Sequence, residues 1–328
     1  MPNYSKGDNL GKMILREVDK AEIIVLVDNY SDLFLSDTDM VKRLKILPPG
    51  APMSEPGLSY LLKVHSGSDT HTLLFDTGIS GSCLLHNAKT FASSKAVLMG
   101  EVSAKFEDIE AVILSHGHFD HCGGLLEFFD EAKKDLPVFL HDGAFVPRRF
   151  EVMPEFKVDL PAMDEEAVIK AGAELQRIDG PTSIASDLIL LSGNVERQTD
   201  FEKGMPGAEA KIDDSWIPDP FHDDQGIAVN IKGKGLVVIG GCSHAGIINT
   251  VKHLQKVSGI NDVHAVMGGF HLSGKNEKLI EPTISEMKEV DPDYIIPMHC
   301  TGWNAINRFA QEMPENFILN SVGTTYIF

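Results

Sequence analysis

Apolar and polar positions along this chain follow two regimes, and the change between them predicts the architecture. Residues 22–28 are a β-rich run bounded by Asn29, which predicts a strand. Residues 58–65 and 71–75 predict two more, joined into a hairpin by the turn Ser66-Gly67-Ser68-Asp69. That hairpin ends in Leu74-Phe75-Asp76-Thr77-Gly78. Residues 79–99 are mostly helical in spacing, and 109–114 form a continuous apolar run suited to a buried strand. Residues 121–134 read as one helix and 138–140 as a strand. From residue 226 the pattern becomes regular. Residues 226–232 and 236–239 pair about Gly233-Lys234-Gly235. Three strands then each end in a small or polar turn that carries a histidine: 236–239 before His244, 263–267 before His271, and 294–298 before His299. Helices over 247–256, 282–290 and 303–313 lie between and after them, and 324–328 closes the chain as an edge strand. Early antiparallel pairing followed by alternating strands and helices suits two sheets packed between outer helices.

The middle breaks this order. Residues 142–224 hold many of the prolines, charged patches, and Met153, Phe156 and Met163, interrupted by short strands at 173–178 and 188–191. This stretch reads as an insertion covering a site, inside one domain spanning 1–328, because long connections in compact domains are usually functional.

Composition narrows the class. Hydrophobic residues make up 43% of the 328, enough for a sizeable core. No run of eighteen apolar residues suggests a transmembrane helix, and the first eight residues have no apolar signal core. Cys83, Cys122, Cys242 and Cys300 show no CxxC pairing, so a reduced, cytoplasmic protein is expected. The formal net charge, 29 − 48 = −19, argues against nucleic acid and acidic membranes as partners. A small-molecule substrate, even an anionic one, stays compatible, since bound dications or buried arginines reverse the potential locally.

Candidate chemistry concentrates in Ser115-His116-Gly117-His118-Phe119-Asp120-His121-Cys122-Gly123-Gly124. Three imidazoles and a carboxylate within six residues make little sense in a packed core and good sense as half of a metal site. His116 and His118, two apart on an extended loop, can bend toward one ion; Asp120 and His121, where the chain turns into a helix, can face a second. Four ligands do not fill two coordination spheres, so His244, His271 and His299 are expected to supply more. Cys242, in a strand-end turn, is a further candidate ligand. Asp76, ending a strand, is either a turn residue or an acid that orients a ligating imidazole. Arg148, Arg149 and Arg197 fall in the insertion, where Arg148 and Arg197 are candidates for gripping a substrate anion.

His116-Gly117-His118-Phe119-Asp120-His121 resembles the HxHxDH signature of the metallo-β-lactamase superfamily, and Leu74-Phe75-Asp76-Thr77-Gly78 resembles its upstream aspartate motif. The resemblance covers nearly the whole chain outside the insertion. It implies a four-layer αβ/βα sandwich with an inserted cap. Further segments, Glu55-Pro56-Gly57, Asp223-Asp224-Gln225, Gly241-Cys242-Ser243-His244 and His299-Cys300-Thr301-Gly302 among them, are similar to a subgroup described as 7,8-dihydropterin-6-methyl-4-(β-D-ribofuranosyl)aminobenzene-5′-phosphate synthase-like. Most hydrolases of the superfamily carry a bridging aspartate in a Gly-Asp-Thr turn. The comparable turn here is Gly241-Cys242-Ser243, so Cys242 or His244 takes that role, or the second ion is held more weakly.

The expected cofactor is one or two divalent ions, zinc first, with iron or manganese as alternatives. The leading expectation is a hydrolase-fold enzyme that uses a metal-activated water on a small phosphorylated or heteroaromatic substrate, with Asp120 accepting a proton. The alternatives are a pterin-condensing synthase with the metal as Lewis acid, and a non-catalytic metal-dependent ligand sensor.

Overall fold

The computed structural model describes residues 12–45, 50–92 and 105–328. Among these, the strands make three sheets. The first runs in the order β10 (Ala173–Arg177), β7 (Leu136–Leu140), β6 (Ala111–Ile113), β5 (Asp69–Phe75), β4 (Ser59–Ser66), β2 (Lys20–Val27), β19 (Thr325–Ile327) and β3 (Val41–Lys42). The second runs β11 (Thr182–Ile184), β12 (Ile189–Leu191), β15 (Ile227–Ile231), β16 (Gly235–Ile239), β17 (Val263–Gly269) and β18 (Tyr294–Met298), with β1 (Glu17–Val18) parallel to β15. A small third sheet holds β14 (Ser215–Pro218), β13 (Ala208–Ile212), β8 (Arg148–Met153) and β9 (Phe156–Asp159).

Strand alternation builds the layers. Along β2, Ile23 and Val25 enter a core shared with Tyr60, Leu62, Val237 and Met267, between the two large sheets. Ile24 and Leu26 face the other way and pack with Leu84 and Phe91 of helix α1 (Gly81–Phe91) and with Phe128. Outside the second sheet, Val238, Val266 and Ile295 pack on Ile248 and Leu254 of a later helix, on Met287 and on Phe309. Strands apolar on both faces are what a sheet covered on both sides requires. The result is the helix–sheet–sheet–helix sandwich.

Four expectations change in detail. The helix foreseen over 79–99 is observed as α1 to Phe91; residues 93–99 lie outside the described ones. The helix foreseen over 121–134 is two, α2 (Phe119–Cys122) and α3 (Leu125–Ala132). The cause is competition for carbonyls: Leu58 N–H takes the Asp120 carbonyl at 3.1 Å and Thr77 N–H takes that of His121 at 2.7 Å, so neither continues the helical ladder. β19 is not an edge strand, because it pairs with β2 on one side and β3 on the other. Finally, residues 142–224 are not one unit. β10 extends the first sheet, β11 and β12 belong to the second, and the small third sheet accounts for only part of the rest. The remaining helices are α4 (Glu165–Ala171), α5 (Ile247–Ser258), α6 (Ile280–Val290) and α7 (Trp303–Glu312). No helix among the described residues is long and apolar enough to cross a membrane.

Candidate metal centre and active site

β5 and β6 run parallel in one sheet, and β16, β17 and β18 run parallel in the other. Their C-terminal ends deliver the polar groups, as in other α/β sheets where sites gather at strand ends. β5 presents Asp76, and β6 leads into Ser115, His116 and His118. β16 leads to Cys242 and His244, β17 to His271, and β18 to His299. The turns are tight: Asp76, His271 and His299 all lie in the left-handed region, at φ of 56°, 46° and 53°. Gly117 is obligatory, since a Cβ there would sit 1.9 Å from the Ala144 carbonyl oxygen. Gly241 is equally confined, against the Ser115 hydroxyl at 2.1 Å.

Three groups of donor atoms result. His116, His118 and His244 form one, Asp120, His121, Cys242 and His299 a second, and Cys242, His244 and His271 a third that joins them; within each group the donors lie within 4.8 Å of one another. In the first, His244 Nε2 is 3.1 Å from His118 Nδ1. In the second, His121 Nε2 is 3.1 Å from both Cys242 Sγ and His299 Nε2. Asp120 Oδ2 lies 3.3 Å from His299 Nε2 and 3.9 Å from His121 Nε2. Donors at 2.0–2.1 Å around a tetrahedral ion are separated by ~3.3 Å, so these spacings fit such an ion.

Unpartnered atoms point the same way. His116 Nε2, His244 Nδ1 and His271 Nδ1 are buried without a hydrogen-bond partner, a costly state unless something else engages such nitrogens. Protonation fits in the first donor group. Burial drives His116 and His244 well below the ordinary imidazole value and His118 down to about 3, so all three keep free lone pairs. Burial also pulls on His121, but the Asp76 and Asp120 carboxylates outweigh it and raise it to about 9. Asp120 is lowered despite burial, because His121 and His299 adjoin it. A site that mixes neutral imidazoles, carboxylate and thiol suits zinc-like dications.

A supporting layer fixes the donors. Asp76, fully buried, accepts from Ser115 N–H and Ser115 Oγ and contacts His121 Nδ1, each at 2.7 Å. It therefore orients His121 and does not join the donor groups. Ser115 Oγ in turn lies 2.9 Å from His116 Nδ1. Asp28 accepts from His299 N–H at 2.9 Å and from Asn320 Nδ2 at 2.7 Å, and Asn29 Oδ1 is 3.3 Å from His299 Nδ1. Phe221 stacks on His244 with centroids 4.3 Å apart. Sequence reasoning singled out none of Asp28, Asn29 and Phe221. The one available signal was that Asp28 ends an apolar strand as Asp76 does.

Arg148 and Arg197 both make hydrogen bonds within the protein. Arg148 is buried; Nε donates to Asp219 at 2.7 Å and Nη2 to Asp223 at 2.6 Å. Asp223 also accepts from Gly117 N–H at 2.9 Å. Arg148 thus braces the His116–His118 loop through Asp223, with Nε and Nη2 committed and Nη1 buried without a hydrogen-bond partner. Arg197 is exposed and donates to the Pro220 carbonyl at 2.9 Å.

With this fold and constellation, the chain belongs to the metallo-β-lactamase superfamily, whose family model matches residues 54–250. It is an enzyme of that superfamily, with a hydrolase or a synthase as the two kinds of activity at issue. A Methanocaldococcus jannaschii protein named 7,8-dihydropterin-6-methyl-4-(β-D-ribofuranosyl)-aminobenzene-5′-phosphate synthase is 34% identical over 269 residues, covering 80% of this chain and 87% of its own. A second protein of that organism, the uncharacterized MJ0448, is 30% identical over 82% of this chain and 92% of its own. Among solved structures, Tm1679, described as a metal-dependent hydrolase of the β-lactamase superfamily, superposes with a TM-score of 0.70 at 25% identity, covering 93% of this chain and 98% of that one.

Proposed function

We propose that this protein is a metal-dependent enzyme that directs water at a small phosphorylated or heteroaromatic substrate, with two divalent ions, zinc foremost, held by His116, His118 and His244 and by Asp120, His121, Cys242 and His299. His271 lies where it can serve either group. The observation that carries the reading is the convergence of two adjoining donor groups at the strand ends of the two large sheets, with the His116 Nε2 lone pair buried and unpartnered. Ions bound there supply Lewis acidity and lower the pKa of water.

The chain's own residues do the rest. His116, His118 and His244 are neutral, so they offer lone pairs without first losing a proton. Asp76 and Ser115 hold the His121 and His116 rings in place. Asp120 is ionised at neutral pH and its side chain keeps 22% exposure, the most open of its group. It is the proton acceptor of this proposal. Phe221 and the buried imidazoles keep bulk water off the ring of donors. The setting proposed is reduced and cytoplasmic, which the four free cysteines support.

One observation favours condensation as a second reading: the relative named as a synthase is matched over 87% of its length. Elemental analysis of protein purified without added metal, followed by incubation with phosphate esters, or with a dihydropterin and a phosphoribosyl-aminobenzene, tests both. Two equivalents of metal and solvent oxygen-18 in the product support hydrolysis. A new C–N or C–C adduct supports condensation. Metal binding without turnover of any of these compounds overturns both in favour of a sensor.

A further inference from the structure

Beside the donor groups lies a cavity of about 230 Å³ that the chemistry above does not use. It shares His299 with the metal cluster and is walled by Met298, Ile306, Tyr30 and Trp303. Trp303, in the first turn of α7, is 68% exposed, and Tyr30 is 40% exposed. A large indole face left open beside an active site gains most when a flat ring covers it.

The polar floor adds direction. Asp28 is buried at the end of β2, on the same sheet edge as Asp76. Its oxygens accept from His299 N–H and from Asn320 Nδ2. Asn29 N–H also acts on this carboxyl, and of its roughly four lone-pair positions that leaves one for a further N–H donor. Apolar walls with one convergent acceptor describe a seat for an uncharged planar ring that carries N–H groups on its edge. The chain's charge of −19 does not oppose such a ring as it would a free anion.

We propose that this cavity seats a planar heteroaromatic ring of the substrate, lying against Trp303 with a ring-edge N–H donated to Asp28, so that the ring's substituent is presented past His299 to the metal cluster. The proposal rests on the reading of the site as that of a small-molecule metalloenzyme.

The test uses the full protein with the metal it carries. Trp303 and Trp216 are its two tryptophans, so Trp216→Phe leaves Trp303 as the sole indole reporter. 6-Hydroxymethylpterin is titrated in by calorimetry and followed by absorbance-corrected Trp303 emission. Saturable binding with matching quenching is expected. Trp303→Ala, in the parent protein, should weaken binding roughly tenfold. Ile306→Phe, one helical turn along α7 from Trp303, narrows the cavity and should weaken binding similarly without changing metal content. Unchanged affinity in both variants, saturable binding that leaves Trp303 emission untouched, or no binding at all overturns the proposal. Metal content and turnover on the same preparations separate the two ideas: if both persist while the ring test fails, only the cavity assignment falls, and if both are absent, the metalloenzyme reading falls.

Discussion

Asp76→Asn isolates what a supporting carboxylate does for a donor it holds. Asp76 Oδ1 accepts from Ser115 N–H, while Oδ2 serves both Ser115 Oγ and His121 Nδ1, all at 2.7 Å. With Nδ1–H pinned to Oδ2, Nε2 of His121 is directed at Cys242 and His299, where a bound dication would displace its proton. An asparagine has one acceptor oxygen for these donors. If it serves Ser115 N–H, its NH₂ faces Nδ1, which favours the tautomer with the proton on Nε2 and blocks that nitrogen as a ligand. Backbone strain is not the cause of any effect, because asparagine tolerates the φ of 56° at this position. Losing such a supporting contact typically costs 10–100-fold in metal affinity, or ~1.4–2.8 kcal/mol. The metal-free protein should lose about 1.5–3 kcal/mol for one charge-assisted bond, less than the stability of a typical domain. Zinc affinity by competition with a chromogenic chelator, alongside urea unfolding of the metal-free protein, reads both quantities. A folded variant that binds zinc within twofold of the parent would refute the orienting role.

His116→Ala should remove one equivalent of metal by elemental analysis while Cys242→Ser weakens the other; equal stoichiometry and affinity in both variants would sink the two-group assignment. Arg148→Met strands the buried Asp219 and Asp223 carboxylates, so it should cost about 3–5 kcal/mol in urea unfolding, whereas exposed Arg197→Ala should cost within about 0.5 kcal/mol; the reverse order would restore Arg148 as a free anion clamp. Burial raises the Glu202 carboxyl to about 7, against bonds from Ile248 and Asn249 N–H that oppose the shift only in part. A carboxyl whose pKa rises on folding favours the folded state most below its ordinary value of 4.5, and that advantage is lost as pH climbs through about 7. The metal-free protein should therefore lose up to about 3 kcal/mol relative to Glu202→Gln between pH 4.5 and 8. Parallel stability profiles for the two proteins would contradict this.

Some of this protein was legible in residue order. His116, His118, Asp120 and His121 are close in space because they are close in sequence, and a six-residue loop cannot scatter them. The two sheets were legible too, since continuous apolar runs such as those of β6 and β16 bury both faces and need cover on each. Tertiary structure decided the partnerships. Which later histidine meets which early one depends on sheet order and register: β16 brings His244 to His118, and β18 brings His299 to His121 and Asp120. The break at Gly123 followed from carbonyls captured by Leu58 and Thr77, residues distant in sequence. Arg148 showed the same limit from the other side. Its place in the insertion suggested an anion clamp, and only folding revealed the two carboxylates paired with it. Periodicity specifies which face of an element is apolar; it carries no information on what that face, or the turn at its end, will meet.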